Sequence, residues 1–312
     1  MDGIMNREQW IRNLSTPDGP VDMILDTDAF NEVDDQFAIS YMLRSPELHP
    51  VAINAAPFFN TKSTGPEDGM EKSYHEILHV LELAGRADLK GIVYKGSREY
   101  LKDEHTPVVS PAAENICRLA SRYSPEKPLY VVAIAAITNV ASALLMKPEI
   151  KENIVVVWLG GHSWEIGDPT EFNMKQDIAG ARVVMGSGVP FVQLPCNGVV
   201  SEFRISKPEL EYWLYDKNSL ADYLARYAVS DTDAYAAGKP WSRPIWDVTA
   251  VAWLLNKNGR FMGSRIEKTR LPGYDRSYHP VDNDAVMSYV VYIARDALMK
   301  DLIDKLVGND GF

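Results

Sequence analysis

VDMILDTDAFNEVDDQFAISYMLRS, residues 21–45, divides into three pieces with different physical tendencies. The first, VDMILD (21–26), is a short apolar run that follows Pro20 and reads as a buried strand. The last, DDQFAISYMLRS (34–45), spaces its apolar residues three and four apart and opens on two aspartates. Carboxylates are favoured at a helix N-terminus by the macrodipole, so this piece reads as a helix. A buried strand that leads straight into a helix is half of a βαβ unit.

The same pairing recurs outward along the chain. HPVAINAAP (49–57), LKGIVY (89–94), LYVVAIA (129–135), NIVVVWLG (153–160) and PFVQLP (190–195) read as further strands. EDGMEKSYHEILHVLELAG (67–85), which stops at Gly85 as at a C-cap, reads as a helix, as do PAAENICRLASRYS (111–124), TNVASALLMKPEI (138–150) and DIAGARVVMGSG (177–188). Regular alternation predicts an α/β fold with a mostly parallel central sheet flanked by helices and ligands at the carboxyl ends of the strands. Residues 198–245 are expected to be helical, and WDVTAVAWLLN (246–256) a buried helix. MGSRIEKTRL (262–271) and AVMSYVVYIA (285–294) fit either strand or helix. No linker-like tract or repeat divides the chain, so residues 1–312 are expected to form one domain.

Composition removes several classes of function. Lys+Arg 32 against Asp+Glu 43 gives a net charge of −11, with no basic stripe, which argues against nucleic acid as a partner. No apolar run reaches membrane-spanning length, and no leader-like segment opens the chain. Cys117 and Cys196, far apart and in no metal-ligand spacing, read as reduced core residues of a cytoplasmic protein.

The middle piece of the opening stretch carries the chemistry. Asp26, Asp28, Glu32, Asp34 and Asp35 crowd the point where a strand leaves the core. Helix capping accounts for Asp34 and Asp35 but not for the other three. Like charges at close range cost about 4 kcal/mol per pair near a protein surface. A hard divalent cation with oxygen ligands relieves that cost economically. D-x-D after a strand also opens phosphatases, where Asp26 would be the nucleophile, and sugar-nucleotide transferases. Ala29–Phe30 after Asp28 departs from the phosphatase pattern.

Three further segments narrow the choice: AAITNVASAL (135–144), WLGGHSWEIGDPTEFNMKQDIAGA (158–181) and PIWDVTAVAWLL (244–255). With the D-x-D…D-D stretch, and in this order, they resemble the inosine–uridine-preferring nucleoside hydrolase family over about residues 21–255. The resemblance implies Ca²⁺ as cofactor, held by Asp28, Asp35, Asp247 and the backbone carbonyl of Thr138. It implies Asp28 as the base for the attacking water, with Asp26 supporting it. Asp34 and Asn173 would meet the ribose 2′- and 3′-hydroxyls and Glu171 the 5′-hydroxyl, with Asn60 a further ribose contact. A homo-oligomer, dimer or tetramer, is expected by the same analogy.

Three departures from the family pattern stand out. The spacer AFNEV is five residues where three are usual, which leaves Asn31 and Glu32 without roles. The segment before Glu171 is shortened, with Asp168 the candidate for a missing 5′-hydroxyl ligand. Trp246 stands where many members have a base-protonating His, which resembles the purine-preferring branch and its stacking indoles. Of the histidines, His75 and His79 read as a solvated helix face, while His105, His162 and His279 are candidate substitute acids. The function expected is calcium-dependent N-glycosidic cleavage of a ribonucleoside, purine preferred. The alternatives are hydrolysis of another ribosyl or N-glycosyl compound, and calcium-dependent binding of ribosides without catalysis.

Overall fold

The computed structural model describes residues 6–281 and 284–308. After a short helix α1 (Arg7–Arg12), strands and helices alternate: β1 (Val21–Thr27), α2 (Asp34–Leu43), β2 (Leu48–Ala55), α3 (Pro66–Leu83), β3 (Val93–Lys95), α4 (Pro111–Ala120), β4 (Leu129–Ala133), α5 (Thr138–Met146) and β5 (Ile154–Leu159). Then come α6 (Phe172–Gln176), α7 (Ile178–Gly186), β6 (Phe191–Leu194), β7 (Arg204–Ser206), α8 (Lys207–Leu214), α9 (Ser219–Ala236) and β8 (Ser242–Pro244). The last elements are α10 (Val248–Trp253), β9 (Met262–Lys268), β10 (Arg270–Pro272), β11 (Tyr278–Pro280), β12 (Val286–Ile293) and α11 (Arg295–Val307).

Eight strands form one sheet in the order β3-β2-β1-β4-β5-β6-β12-β9, parallel throughout except for the antiparallel edge strand β9. The chain walks outward from β1 to β3 and then returns to pair β4 with the other side of β1. That reversal opens a crevice at the carboxyl ends of β1 and β4. Side chains alternate across the sheet. Met23 and Leu25 pack on one face with Phe37, Leu224, Trp253 and Leu302 from α2, α9, α10 and α11. Ile24, Val131 and Ala133 pack on the other with Ile116, Val140 and Val184 from α4, α5 and α7.

α2 has no polar face, because every residue from Asp34 to Met42 is buried. Other helices cover the side turned away from the sheet, as expected of a helix inside a core. Its first turn therefore delivers Asp34 and Asp35 to an interior point.

The expected α/β architecture is present, with local differences. LKGIVY contributes a 3-10 turn (Ala87–Ile92) and only a three-residue edge strand, since β3 has β2 alone to pair with. Residues 198–245 are helical in α8 and α9, but the antiparallel pair β7 and β8 brackets them. Both undecided late segments are strands, joined antiparallel as β9 and β12. The one-domain expectation spans 1–312, of which 1–5, 282–283 and 309–312 lie outside the described residues. Among the described residues, no helix is long and apolar enough to cross a membrane. Cys117 and Cys196 are buried and unpaired.

Candidate active site

The carboxyl end of β1 carries Asp26, Thr27 and Asp28 into the crevice. Asp26 lies beneath it, fully buried, with Oδ1 accepting from Asn139 Nδ2 of α5 at 2.9 Å. Burial pushes its carboxyl up to about 7, against the lowering effect of bonds to Asn139 and Asn54. Asp28 is buried, and its Oδ2 has no hydrogen-bond partner. From the first turn of α2 come Asp34 and Asp35, and from the N-cap of α10 comes Asp247. One carboxylate oxygen from each of these three lies within 4.8 Å of the others. Thr27 Oγ1 donates to Asp35, and the carboxyls of Asp34 and Asp247 are hydrogen-bonded to one another.

Burial first, and the neighbouring carboxylates second, push Asp28, Asp35 and Asp247 well above the ordinary carboxylate range. Burial likewise pushes Asp34 up to about 7. Such a set is stable only if protons or a cation take up the charge. The donors are all oxygens and Asp28 Oδ2 is bare, so the residues fit a hard divalent cation.

The second wall comes from the turn after β5. Gly161 has φ +78°, and a Cβ there would meet Tyr278 Oη at 2.3 Å, so glycine is required. Its N–H donates to Glu171 Oε2 at 2.8 Å. Glu171 caps α6, with Oε1 accepting from Asn173 N at 2.6 Å and Oε2 from Met174 N at 3.0 Å. Asn173 Nδ2 donates to the Leu159 carbonyl at 3.1 Å. Asp28, Asp34, Asp35, Glu171, Asn173, Trp246 and Asp247 all line one cleft of about 230 Å³.

Asp26, Thr138 and Asn60 are not among its lining residues. Thr138, the first residue of α5, donates through Oγ1 to Asp177 at 2.6 Å. Asn60 Nδ2 donates at 2.6 Å to Oδ1 of Asn31, which does line the cleft. Asp168 accepts from Thr170 N at 2.9 Å and pairs with Arg276, outside the cleft.

The sequence profile of the inosine-uridine preferring nucleoside hydrolases matches residues 23–284. This chain belongs to that family. It is thus a nucleoside hydrolase, an enzyme of a metal-dependent family that cleaves the N-glycosidic bond of ribonucleosides. A pyrimidine-specific ribonucleoside hydrolase RihA of Shewanella sp. (strain MR-4) is 27% identical over 258 residues, 75% of this chain and 77% of that protein. Among solved structures, a plant nucleoside hydrolase, the PpNRh1 enzyme, superposes with a TM-score of 0.74 at 19% identity, over 92% of this chain and 99% of its own. A purine-preferring ribonucleoside hydrolase from Gardnerella vaginalis does so with a TM-score of 0.73 at 21% identity, over 92% and 98%.

In this nucleoside hydrolase the lengthened spacer has a counter-charge that sequence reading missed. Arg243, 5% exposed, donates to Glu32 Oε2 at 2.9 Å and also pairs with Asp231. Lys62 approaches Asp231 at 3.4 Å. Glu32 thus lines the cleft with its charge already answered by Arg243. Removing one partner of a buried pair costs about 3–5 kcal/mol, less where the other partner meets solvent. Glu32 is 44% exposed, so Arg243→Ala is expected to lower unfolding stability by about 2 kcal/mol in denaturant titration. A change under ~0.5 kcal/mol would mean that the pair is incidental.

Proposed function

We propose that this nucleoside hydrolase splits a ribonucleoside, preferably a purine one, into free base and ribose with the help of Ca²⁺. Asp28, Asp35, Asp247 and the Thr138 carbonyl would hold the ion. The convergence of the buried Asp34, Asp35 and Asp247 carboxylates, on a cleft that Asp28 lines with an unpartnered oxygen, carries this reading. When bound, the cation supplies Lewis acidity that lowers the pKa of a water and an anchor for a vicinal diol. Asp28 would take the proton of the water that attacks C1′, and Asp26 would steady the strand end below it.

Asp34 and Asn173 bind the 2′- and 3′-hydroxyls, and Asn60 acts on the ribose side through Asn31. Glu171 spends one lone pair of Oε1 on Asn173 N and keeps another for a 5′-hydroxyl. A 5′-phosphate would set its charge against this buried carboxylate, so nucleosides rather than nucleotides fit. The ribosyl cation that forms as the bond breaks is stabilised by the surrounding negative charge. Trp246 offers a half-buried indole on the cleft wall, and stacking on it favours the larger purine ring. Uridine turned over as well as inosine would remove that preference. Residues 1–312 are read as one domain because β1 and β12, from opposite ends of the chain, share one sheet.

The metal is tested directly. Protein dialysed against calcium should hold about one Ca²⁺ per chain by elemental analysis, chelation should abolish turnover, and Asp35→Ala should lose both ion and activity. Stoichiometric zinc, or no divalent ion at saturating calcium, would sink the assignment.

A further inference from the structure

We propose that His162 is the hydrogen-bond donor to the departing base, presented by Asn197 as a neutral imidazole with its proton on Nε2. The proposal rests on the nucleoside hydrolase reading and concerns the leaving group, which the aspartates do not touch.

Of the six histidines, all among the described residues, His162 alone lines the cleft. His75 and His79 are exposed on α3, His105 lies in an exposed loop, and His49 and His279 pair at the surface with Asp22 and Asp275. His162 follows the Gly160–Gly161 turn at the carboxyl end of β5. It is fixed at both ends. Its carbonyl accepts from Tyr278 Oη at 2.9 Å, and its ring Nδ1 accepts from the Asn197 backbone N–H at 3.3 Å.

The bond to Nδ1 decides the protonation state. An N–H can donate to that nitrogen only if it keeps its lone pair, so the ring proton belongs on Nε2. Protonating Nδ1 would set two N–H groups face to face. Partial burial also holds the imidazole below its ordinary range, while the charge of Asp168 works weakly the other way. Asp168 is itself occupied by Thr170 and Arg276.

The same segment reaches Trp246. Asn197 Oδ1 accepts from Ser201 Oγ at 2.8 Å, and Ser201 Oγ accepts from Trp246 Nε1 at 2.9 Å. One hydrogen-bonded chain thus links His162 and Trp246, both on the cleft wall, through Asn197 and Ser201. A π-face and an N–H donor held in one frame suit a nitrogen heterocycle.

The balance of the step is simple. As the C1′–N bond breaks, its electron pair moves onto the base and spreads over ring nitrogens and carbonyl oxygens. Water forms the new C1′–O bond and gives its proton to Asp28. The Nε2–H of His162 stabilises the anionic base by hydrogen bonding without transferring its proton, and the base takes its proton from solvent.

Three variants read this out. His162→Ala should lower kcat on inosine and uridine about 100-fold with little change in KM, and lower kcat on nitrophenyl riboside less than threefold. His162→Gln, which keeps an N–H donor, should recover at least tenfold of that loss. His105→Ala, at a histidine of an exposed loop outside the cleft, should leave the ratio between the substrates near that of the unsubstituted enzyme. Equal losses on nucleosides and nitrophenyl riboside, or no recovery with Gln, would overturn the proposal. Long-range ¹⁵N–¹H spectra of the imidazole need no turnover. They should show the Nε2–H tautomer at neutral pH and a shift of that resonance on adding hypoxanthine or uracil. An imidazolium, an Nδ1–H tautomer or no shift overturns the donor role, whereas an enzyme that hydrolyses no riboside overturns the hydrolase reading instead.

Discussion

Asp28→Asn lowers kcat on ribonucleosides by about 10²–10⁴-fold, the range associated with losing a positioned general base. Riboside affinity should stay within a few-fold, because the amide keeps one oxygen for a cation and nearly the same shape. The loss then sits in the chemical step. The structure also supplies an internal control of opposite sign. In calcium-free protein Asp28 is a buried carboxylate repelled by Asp34 and Asp35, with burial the larger burden. Replacing it by a neutral amide removes both penalties, so the metal-free variant should melt at a higher temperature than the metal-free parent. Lower activity with higher apo stability marks a group retained for catalysis at the expense of the fold. A kcat within tenfold of the parent would place the base elsewhere.

The parts legible in the sequence are those whose signal is local. Residues 21–45 switch from a strand run to helical spacing within the span of one βα unit, so the sheet, α2 and the acidic corner could be read together. Glu171, Asn173 and Asp247 each read alone as ordinary loop or helix-end polars, and only the order of the motifs shared with the family singles them out. What could not be read depends on partners distant in the chain. AVMSYVVYIA is apolar at both periods, and it becomes a strand because β6 and β9 are there to pair with it. Glu32 meets Arg243 across 211 residues, and no nearby pattern advertises that pair. The segment 197–201, which ties His162 to Trp246, looks in sequence like an ordinary loop. Asp34 adds a different lesson. The family resemblance makes it a sugar ligand, while the structure draws its carboxylate into the triplet with Asp35 and Asp247. On the proposed reading, Asp34 would lie beside both the ion held by Asp35 and Asp247 and the diol bound to it.

That geometry gives the sharpest demand the site makes on its substrate. A 2′-deoxynucleoside should have a kcat/KM about 10⁴-fold below that of the matching ribonucleoside, as expected where a buried site hydrogen-bonds a hydroxyl that the analogue lacks. The penalty comes from the groups left behind. Asp34 is buried among carboxylates, and Asn173 has one amide hydrogen on the Leu159 carbonyl and a second that the proposed reading assigns to the sugar. Intrinsic reactivity works the other way, because C1′ becomes cationic more readily without the electron-withdrawing 2′-oxygen. A slower reaction of the deoxy compound therefore isolates the requirement of the site from the chemistry of the sugar. Asn173→Ala provides the check, since it removes one of the two groups proposed to meet the diol. The ratio of ribo- to deoxynucleoside kcat/KM should then shrink by at least tenfold, mostly through the slower ribonucleoside. Deoxynucleosides hydrolysed as fast as ribonucleosides by the unsubstituted enzyme would show that the diol is not bound at the carboxylate triplet.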